Sequence, residues 1–464
     1  MTKGTRFQVR DPVHGFIWLH DSEVKLLDTP AIQRLRQISQ LAMANLVYPG
    51  AVHTRFDHSL GVTHVAGLMA DELLNKDDVP LVRFAALLHD IGHGPFSHVS
   101  EDCLERYADR SKLKSGQEKD KIHELISAQI ITTDQNILRI LGTEMSENVA
   151  RLLGPGYGQP AKRSIVSGPL DADKQDYLLR DSHFCGVPYG IFDIHQLHRS
   201  LTLGGREEEE ELRIRRDGVH AVEQYVLAKY YLTTNVYRHK VRLITDQMIV
   251  RAIVLGIERD GIQELHELYA FDNSPDFVLR YMTWGDARFM QEFCCPRKGT
   301  KCSELLRRLR ERRLLKRVFT ARATDFADLE VRDMLLSLVD RPKKDLRARI
   351  EKGVAEQIQD KCHQCIDPDL VILNVFTIRN VREMSRNSEG EILVENEPQP
   401  KPFSQESTLF ASIDQRYADQ FVEVYAPVQW ATVADKNAVR RDLNEPIMET
   451  ITSDCRADLQ GGVK

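Results

Sequence analysis

Residues 82–98, VRFAALLHDIGHGPFSH, place histidine and aspartate side chains at the end of an apolar segment. The apolar residues up to Ile91 predict a buried helix, and the glycine–proline segment that follows interrupts it. His89 and Asp90 therefore lie at the end of a buried helix. Buried polar groups are costly unless they have partners. This stretch predicts a helical core that carries a polar site.

Further candidate residues for this site are widely separated in the sequence. The chain has 16 histidines, nine of them between positions 14 and 123. Adjacent helical residues point about 100° apart, so His89 and Asp90 reach one ion only if its other ligands come from different helices. Two imidazoles and two carboxylates would suit Zn, Fe, Mn or Mg and leave positions open for water and a phosphate oxygen. A single buried histidine is usually a hydrogen-bonded core residue, so the prediction depends on the combination. The other candidates are His58 in Arg55–His58, His93, His98 and Asp173.

The composition is typical of an ordinary soluble globular protein. Of 464 residues, 42% are hydrophobic and 28% charged, and 63 Lys and Arg against 69 Asp and Glu give a net charge of −6. This acidic excess argues against general coating of nucleic acid. No segment has the roughly 20 apolar residues that span a bilayer, and the N-terminal residues lack the apolar part of a signal peptide. The eight irregularly spaced cysteines suit a reducing compartment, so we expect a cytoplasmic protein without a membrane partner.

The texture of the sequence changes near residue 340. Before it, helical periodicity dominates; after it, LVILNVFTIRN at 370–380 and GEILVEN at 390–396 indicate strands. The sequence predicts a mainly α fold, with a helical core over residues 1–340 and a smaller C-terminal α+β lobe over residues 341–464. Helices are expected within residues 31–44, 303–318 and 411–424, and fraying is expected from about residue 454.

Seven stretches of the sequence form a combined pattern: DPVHGFIWLH, DTPAIQRLRQISQL, YPGAVHTRFDHSLGV, ALLHDIGHGPFSHVSE, HE at 123–124, DADKQDYLLRD and VYRHKV. Together they resemble the HD-domain deoxynucleoside triphosphate (dNTP) triphosphohydrolases over residues 8–260. The resemblance implies an HD-domain helical core that cleaves a dNTP to deoxynucleoside and triphosphate. It also implies a divalent cation, Mn, Fe, Zn or Mg, that activates water for attack on the α-phosphorus.

Carried over by position, the resemblance implies roles for individual residues. His98 is the candidate acid that protonates the leaving 5′-oxygen, since a histidine held by carboxylates can keep a pKa suited to this step. Glu101 stands where relatives often have Asp, which extends the carboxylate by one methylene. The implied metal ligands are His58, His89, Asp90 and Asp173, and the implied catalytic residues are His98, His123, Glu101 and Glu124.

The resemblance also implies a substrate pocket. Tyrosine rings packed against the 2′ carbon would exclude a ribose hydroxyl, although ordinary core packing is an equal alternative for each tyrosine. Lys229 replaces a phosphate-binding arginine, which keeps the charge but loses bidentate geometry. The implied substrate-binding residues are Gln40, Leu41, Arg55, Lys174, Tyr177, Asp181, Lys229 and Tyr237.

Members of this family are commonly tetramers activated by nucleotides between subunits. The resemblance therefore implies a homo-oligomer and an activator such as GTP or a dNTP. Helical spacing would place Gln33 with Arg36, and Arg312 with Lys316, on shared faces. A solvated basic helix explains the second pair equally well, and Phe7 stands where a phosphate-binding lysine is expected. The implied activator-binding residues are Asp28, Gln33, Arg36, Arg312 and Lys316.

Alternative functions remain open from the sequence. The same site could serve a phosphohydrolase of ribonucleotides, signalling nucleotides or nucleic-acid ends, or the protein could be a non-catalytic nucleotide-sensing subunit. The basic segment at 307–317 could contact single-stranded nucleic acid, but few aromatic residues interleave it. A zinc site formed by Cys362 and Cys365 with Cys294, Cys295 and Cys302 is less favoured than free thiols, because the spacing is long.

Overall fold

The structure is a computed structural model. It describes residues 7–113, 117, 120–154, 159–205, 210–295, 299–340, 343–379, 382–387, 390–397, 399–412 and 419–461. Within these ranges helices predominate, and none is long and apolar enough to cross a membrane. The predicted mainly α fold is confirmed.

The helices carry most of the chain and build the core around the candidate site. Nearly every side of the central helix α3 is buried, as expected of a helix that other helices surround. The helices are α1 (Asp21–Leu27), α2 (Pro30–Gln33), α3 (Arg55–Leu73), α4 (Val79–Leu88), α5 (His98–Tyr107), α6 (Ile122–Thr133), α7 (Gln135–Leu141), α8 (Thr143–Leu153), α9 (Pro160–Val166), α10 (Ala172–Cys185), α11 (Ile194–Ser200), α12 (Val219–Leu232), α13 (Lys240–Glu258), α14 (Gln263–Tyr269), α15 (Pro275–Tyr281), α16 (Asp286–Cys294), α17 (Lys301–Arg310), α18 (Leu329–Asp340), α19 (Lys344–Cys362), α20 (Phe403–Glu406), α21 (Thr408–Ala411) and α22 (Val433–Gly461).

The strands form small sheets at the periphery and in the C-terminal lobe. The strands are β1 (Phe7–Asp11), β2 (Gly15–Leu19), β3 (Leu201–Gly204), β4 (Glu211–Ile214), β5 (Lys316–Arg322), β6 (Ile372–Ile378), β7 (Arg386–Asn387), β8 (Gly390–Glu391), β9 (Leu393–Val394), β10 (Lys401–Pro402) and β11 (Asp419–Ala426). β1 pairs with β2, and β7 pairs with β8. A four-stranded sheet has the order β10-β9-β4-β3, and a three-stranded antiparallel sheet has the order β5-β11-β6.

The C-terminal lobe has its own apolar core, which lies between the β5-β11-β6 sheet and helices α18, α19 and α22. In β11, Val422 and Val424 are fully buried, as are Leu443, Ile447 and Ile451 on successive turns of α22. A smaller C-terminal α+β lobe is therefore present, as the sequence predicts. Its core also includes β5 and α18, which the prediction assigned to the helical core over residues 1–340.

Several predicted helix bounds are wrong. The predicted helix at 31–44 is limited to α2, followed by a 3-10 turn at Arg34–Gln37. The helix predicted over 303–318 ends at Arg310, because Arg312 adopts a left-handed conformation (φ 54°) and Lys316 begins β5. Arg312 and Lys316 therefore do not share a helical face.

Two predictions near the C-terminus are also wrong. The helix expected over 411–424 ends at Ala411, and β11 follows from Asp419. Pairing with a neighbour on each side outweighs local helical preference in this segment. The expected fraying from residue 454 is contradicted by α22, which continues to Gly461 and buries Cys455 against the lobe.

Candidate metal centre and nucleotide site

Three side chains from separate elements converge at the centre of the helical core. His58 lies in the first turns of α3, His89 follows the last residue of α4, and Asp173 lies at the start of α10. Asp173 Oδ1 is 3.0 Å from His58 Nε2 and 3.9 Å from His89 Nε2. One ligand atom from each residue lies within 4.8 Å of the others, close enough to hold one metal ion.

Asp90 lies beside this group. Its Oδ1 is 3.1 Å from His89 Nε2, and its Oδ2 is 3.7 Å from His58 Nε2. Arg55 Nη1 donates to the same Oδ2 at 2.6 Å. Burial alone would raise the pKa of Asp90, but Arg55, His89 and His93 hold it well below its usual value. The carboxylate is therefore ionised, as a metal ligand must be.

The orientation of His89 fits a metal ligand. Its Nδ1 lies 2.8 Å from the carbonyl of Ala86, whereas its buried Nε2 has no hydrogen-bond partner. A ring that donates from Nδ1 to a carbonyl presents the lone pair of Nε2 to a metal. The structure thus brings together the four residues that the resemblance implied as ligands.

Asp176 binds the ring nitrogen of His58 that faces away from Asp173. It accepts at 2.8 Å from His58 Nδ1, at 2.6 Å from His14 Nε2 and at 2.8 Å from Arg180 Nε, and it is fully buried. Burial alone would raise its pKa, but Arg180 and the two histidines hold the pKa well below its usual value. Gly61 makes this approach feasible, because a Cβ there would lie 1.8 Å from Asp176 Oδ1.

These supporting residues were not predicted from the sequence. The signal was present in DKQDYLLRD, because Asp173, Asp176 and Arg180 recur at the spacing of one helical face. His14 comes from the turn between β1 and β2, so its contact with Asp176 depends on tertiary structure and cannot be recognised from local spacing.

A second cluster lies next to the first. Glu101 Oε1 is 2.8 Å from His98 Nδ1 and 3.1 Å from His93 Nδ1, and Oε2 is 3.7 Å from His123 Nδ1. His93 Nε2 is 3.2 Å from Asp90 Oδ1, which links the clusters. Burial would raise the pKa of Glu101, but His98 and His123 hold it well below its usual value, and burial lowers the pKa of His123 to about 3.

The backbone between these histidines is strained. Phe96 and Ser97 have φ values of 63° and 55°, in the left-handed region that residues other than glycine rarely adopt. Two hydrogen bonds hold this turn: Ser97 Oγ donates to the carbonyl of Ser39, and Phe96 N donates to Asp286 Oδ1. The turn starts α5 and thereby places His98 at the edge of the site, with its side chain 62% exposed.

Among the residues expected around the sugar, Tyr177, Asp181 and Tyr237 lie together. Tyr237 Oη donates at 2.6 Å to Asp181 Oδ2, and His53 Nε2 lies 2.7 Å from Asp181 Oδ1. The rings of Tyr177 and Tyr237 pack edge to face with centroids 6.1 Å apart. Gln40 has a buried Oε1 without a hydrogen-bond partner, an acceptor available to a ligand, and Leu41 is buried.

The expected phosphate-binding residues differ in the hydrogen bonds that their side-chain donors already make. Arg55 has a buried Nη2 without a partner, a donor that a phosphate oxygen can accept from. Lys174 Nζ donates to Asp171 at 2.6 Å. Lys229 Nζ donates to the carbonyl of Met384 at 3.0 Å, and burial, with the charge of Lys174 nearby, lowers its pKa to about 8. This hydrogen bond occupies one of the three donors of the Lys229 ammonium group.

Comparison with known proteins assigns the family. The HD domain matches residues 55–171, and the HD associated region matches residues 192–445, more than half of the chain. The chain belongs to the HD-domain family. The segment matched to the HD domain contains His58, His89 and Asp90, and ends two residues before Asp173.

Relatives of this HD-domain protein include one with a named activity. An uncharacterised protein of Methanocaldococcus jannaschii is 35% identical over 55% of this chain and 51% of its own. The deoxynucleoside triphosphate triphosphohydrolase SAMHD1 of Homo sapiens is 31% identical over 67% of this chain and 54% of its own. The chain spans about half the length of these curated relatives. A hypothetical protein of Aquifex aeolicus shares the fold, with a TM-score of 0.68, 24% identity and coverage of 95% of this chain and 100% of its own.

The candidate activator residues of the HD-domain protein lie in two places. Arg36 Nε donates to Gln33 Oε1 at 3.0 Å, and Asp28 is exposed at the end of α1. Arg312 and Lys316 line a basic cavity of about 240 Å³, where all the charged lining residues are cations. Its lining residues are Lys240, Val241, Ile244, Arg312, Leu314, Leu315, Lys316, Arg317, Trp430, Lys436 and Arg440.

Glu124 and the cysteines, which are the remaining candidates, lie outside the proposed metal centre. Glu124 has a side chain 43% exposed and forms an ion pair with Lys121 at 3.6 Å. The cysteines are free thiols, and among the described residues no group with metal-ligand spacing contains a cysteine. The favoured free-thiol interpretation therefore agrees with the structure.

Proposed function

We propose that this HD-domain protein is a metal-dependent triphosphohydrolase that cleaves dNTPs to deoxynucleoside and triphosphate. The observation that carries the proposal is the convergence of His58, His89, Asp90 and Asp173, with the His98–Glu101 pair in the adjoining cluster. The activity printed for the human relative favours a dNTP as the substrate.

Each side chain has a defined part in the proposed reaction. A divalent cation at the four ligands would polarise a phosphate oxygen and lower the pKa of a water molecule. Arg55 Nη2, which is buried without a hydrogen-bond partner, would donate to the triphosphate. Glu101 orients the ring of His98 through Nδ1, so that Nε2 can deliver a proton to the leaving 5′-oxygen.

The sugar would lie against Tyr237. Its hydroxyl is fixed by Asp181, which His53 also contacts, so the ring cannot easily turn away. Packing of this ring and that of Tyr177 against C2′ would exclude a ribose hydroxyl. The unpartnered Oε1 of Gln40 would accept from the 3′-hydroxyl.

We further propose activation by a nucleotide such as GTP or a dNTP in a homo-oligomer, by resemblance a tetramer. The hydrogen-bonded Gln33–Arg36 pair would contact the base together with Asp28. The basic cavity at Arg312 and Lys316 would take phosphates, since its charged lining is entirely positive.

The test is product analysis with the whole chain. Each dNTP and NTP is incubated singly and in pairs with Mn²⁺ or Mg²⁺, and deoxynucleoside, triphosphate and inorganic phosphate are quantified. His89→Ala with Asp90→Ala should abolish turnover. His198→Gln is the control, because His198 is also a buried histidine but its ring bonds Gln175 and none of the four proposed ligands.

The products separate the alternatives. Deoxynucleoside and triphosphate in equal amounts support the proposal. Products from ribonucleotides, release of inorganic phosphate, or cleaved oligonucleotides would assign the same site to another phosphohydrolase. No turnover with any nucleotide pair, in protein that holds metal, would favour a nucleotide-sensing subunit.

A further inference from the structure

Asp286, the first residue of α16, joins two segments of the site that lie far apart in the sequence. Its Oδ2 accepts from the backbone N–H of Ser39 at 2.9 Å, and its Oδ1 accepts from that of Phe96 at 2.8 Å. Ser39 precedes Gln40, the residue expected at the sugar, and Phe96 lies two positions before His98, the expected acid. One carboxylate therefore connects the sugar-contacting segment with the start of α5.

The two segments also contact each other directly. Ser97 Oγ donates to the carbonyl of Ser39, and Arg55 Nε donates to Ser97 Oγ at 2.9 Å. The backbone N–H of Arg55 in turn donates to the carbonyl of Ile38 at 3.0 Å. With the two hydrogen bonds of Asp286, these contacts form a connected network that fixes the position of one segment relative to the other.

The turn before His98 needs such support because its backbone is strained. Phe96 and Ser97 both have positive φ, a conformation that persists in residues other than glycine only where the surrounding structure holds it. A hydrogen bond to a carboxylate is stronger than one between neutral groups. The bond from Phe96 to Asp286 is therefore well suited to hold the turn.

We propose that Asp286 is a positioning residue, which fixes the turn that carries His98 relative to the Gln40 segment and so aligns the imidazole with the 5′-oxygen of a bound nucleotide. This inference rests on the proposed triphosphohydrolase function. Asp286 would act through the backbone, without binding the metal or carrying the proton. Its loss should impair proton delivery to the leaving oxygen while the four proposed metal ligands stay in place.

The experiment replaces Asp286 by Asn in the full-length protein. Both partners are N–H donors, so an amide can accept from only one of them and turns its own NH₂ group toward the other. Turnover is measured with a dNTP and with the analogue that carries sulfur at the bridging 5′ position. A thiolate leaves without a proton, because thiols ionise near pH ~8.5, whereas the 5′-oxygen needs one. Asp286→Asn should lower kcat on the dNTP about 10²-fold, as a misplaced reacting group does, and should change kcat on the sulfur analogue little.

Two other variants separate this role from a general loss of structure. Asp260→Asn is the matched control, because Asp260 likewise accepts a backbone N–H, that of Cys302 at 2.9 Å, but between the end of α13 and the start of α17. It should leave kcat on both substrates unchanged. His98→Gln should show the same selective loss on the dNTP as Asp286→Asn. Equal losses on both substrates in His98→Gln would refute His98 as the acid and, with it, this proposal.

Equal losses on the two substrates in Asp286→Asn, or wild-type kcat on the dNTP, would also overturn the proposal. Metal content should match that of wild type in every variant. If Asp286→Asn does not fold, Gly285→Ala replaces it, because a Cβ there would lie 2.7 Å from Gln37 Cβ and 3.0 Å from the Gln37 carbonyl oxygen and would push α16 away from this segment.

Backbone hydrogen exchange gives a readout that does not require turnover. Peptides that cover residues 37–40 and 94–98 should both exchange faster in Asp286→Asn than in wild type and in Asp260→Asn. Unchanged exchange in either peptide would overturn the proposal. A wild-type protein that cleaves no nucleotide would refute the proposed function, whereas the exchange experiment would still decide whether Asp286 links the two segments.

Discussion

Replacing Asp176 by Asn tests whether this residue holds the metal centre through His58. The change keeps the shape but removes the charge that accepts from His58 Nδ1 at 2.8 Å. Loss of a carboxylate behind a metal-ligating histidine typically costs 10–100-fold in affinity, about 1.4–2.7 kcal/mol. Arg180 also loses a partner, but Asp11 still accepts from its Nη1 at 2.8 Å. We therefore expect a stability loss of about 3 kcal/mol, at the low end for a broken buried pair.

The matched control is Asp11→Asn, which removes the other carboxylate from Arg180 without touching His58. It should lower the melting temperature but leave unchanged the Mn²⁺ affinity of the centre at His58, His89, Asp90 and Asp173. Affinity is measured by calorimetric titration of chelator-treated protein, and stability by thermal unfolding. The reasoning is refuted if Asp176→Asn binds Mn²⁺ within twofold of wild type, or if Asp11→Asn weakens binding equally.

Three further changes test other parts of the argument. Gly61→Ala should weaken Mn²⁺ binding about tenfold, because the added Cβ pushes Asp176 away from His58. Gly142→Ala is the control: its Cβ would have no neighbour within 4 Å, so it should affect only stability. Equal Mn²⁺ titrations of wild type and Gly61→Ala would contradict this prediction. Burial raises the pKa of Asp246 to about 6, so ionisation of this carboxyl destabilises the fold as the pH rises above 4. Asp246→Asn should therefore raise the free energy of unfolding by about 3 kcal/mol at pH 8 and not at pH 4. If urea denaturation shows no pH-dependent gain for this variant, the prediction is wrong. His98→Gln should lower kcat about 10²–10⁴-fold while metal content stays at the wild-type level, and retention of full kcat would remove His98 as the acid.

The helical core and the candidate ligands His89 and Asp90 could be predicted from the sequence because their signals are local. The apolar run before His89 predicted a buried helix, and a polar dipeptide at its end indicated a site. His58 and Asp173 could be placed with it only through the family resemblance, because they lie 31 positions before and 84 positions after His89, and no local spacing rule joins residues so far apart. The structure brings them to 3.0 Å through the packing of α3 against α10.

The failures have physical causes that a linear pattern does not show. Lys316 follows a basic, leucine-containing helix whose periodicity continues past its real end, yet the left-handed residue Arg312 turns the chain into β5. β11 was predicted as a helix because its pairing partners lie far away in sequence. The role of Asp176 was missed because its partners His14 and His58 come from other elements.

The strand order β5-β11-β6 has a consequence for synthesis of the chain on the ribosome. β5 ends at Arg322, but its only sheet neighbour within the described residues, β11, is complete only at Ala426. At roughly 5–20 residues per second, translation of these ~100 intervening residues takes about 5–20 s. During that interval the emerging strand has an open edge and an uncovered apolar face. Nascent chains stalled between these points should bind chaperones more strongly than chains stalled beyond Ala426.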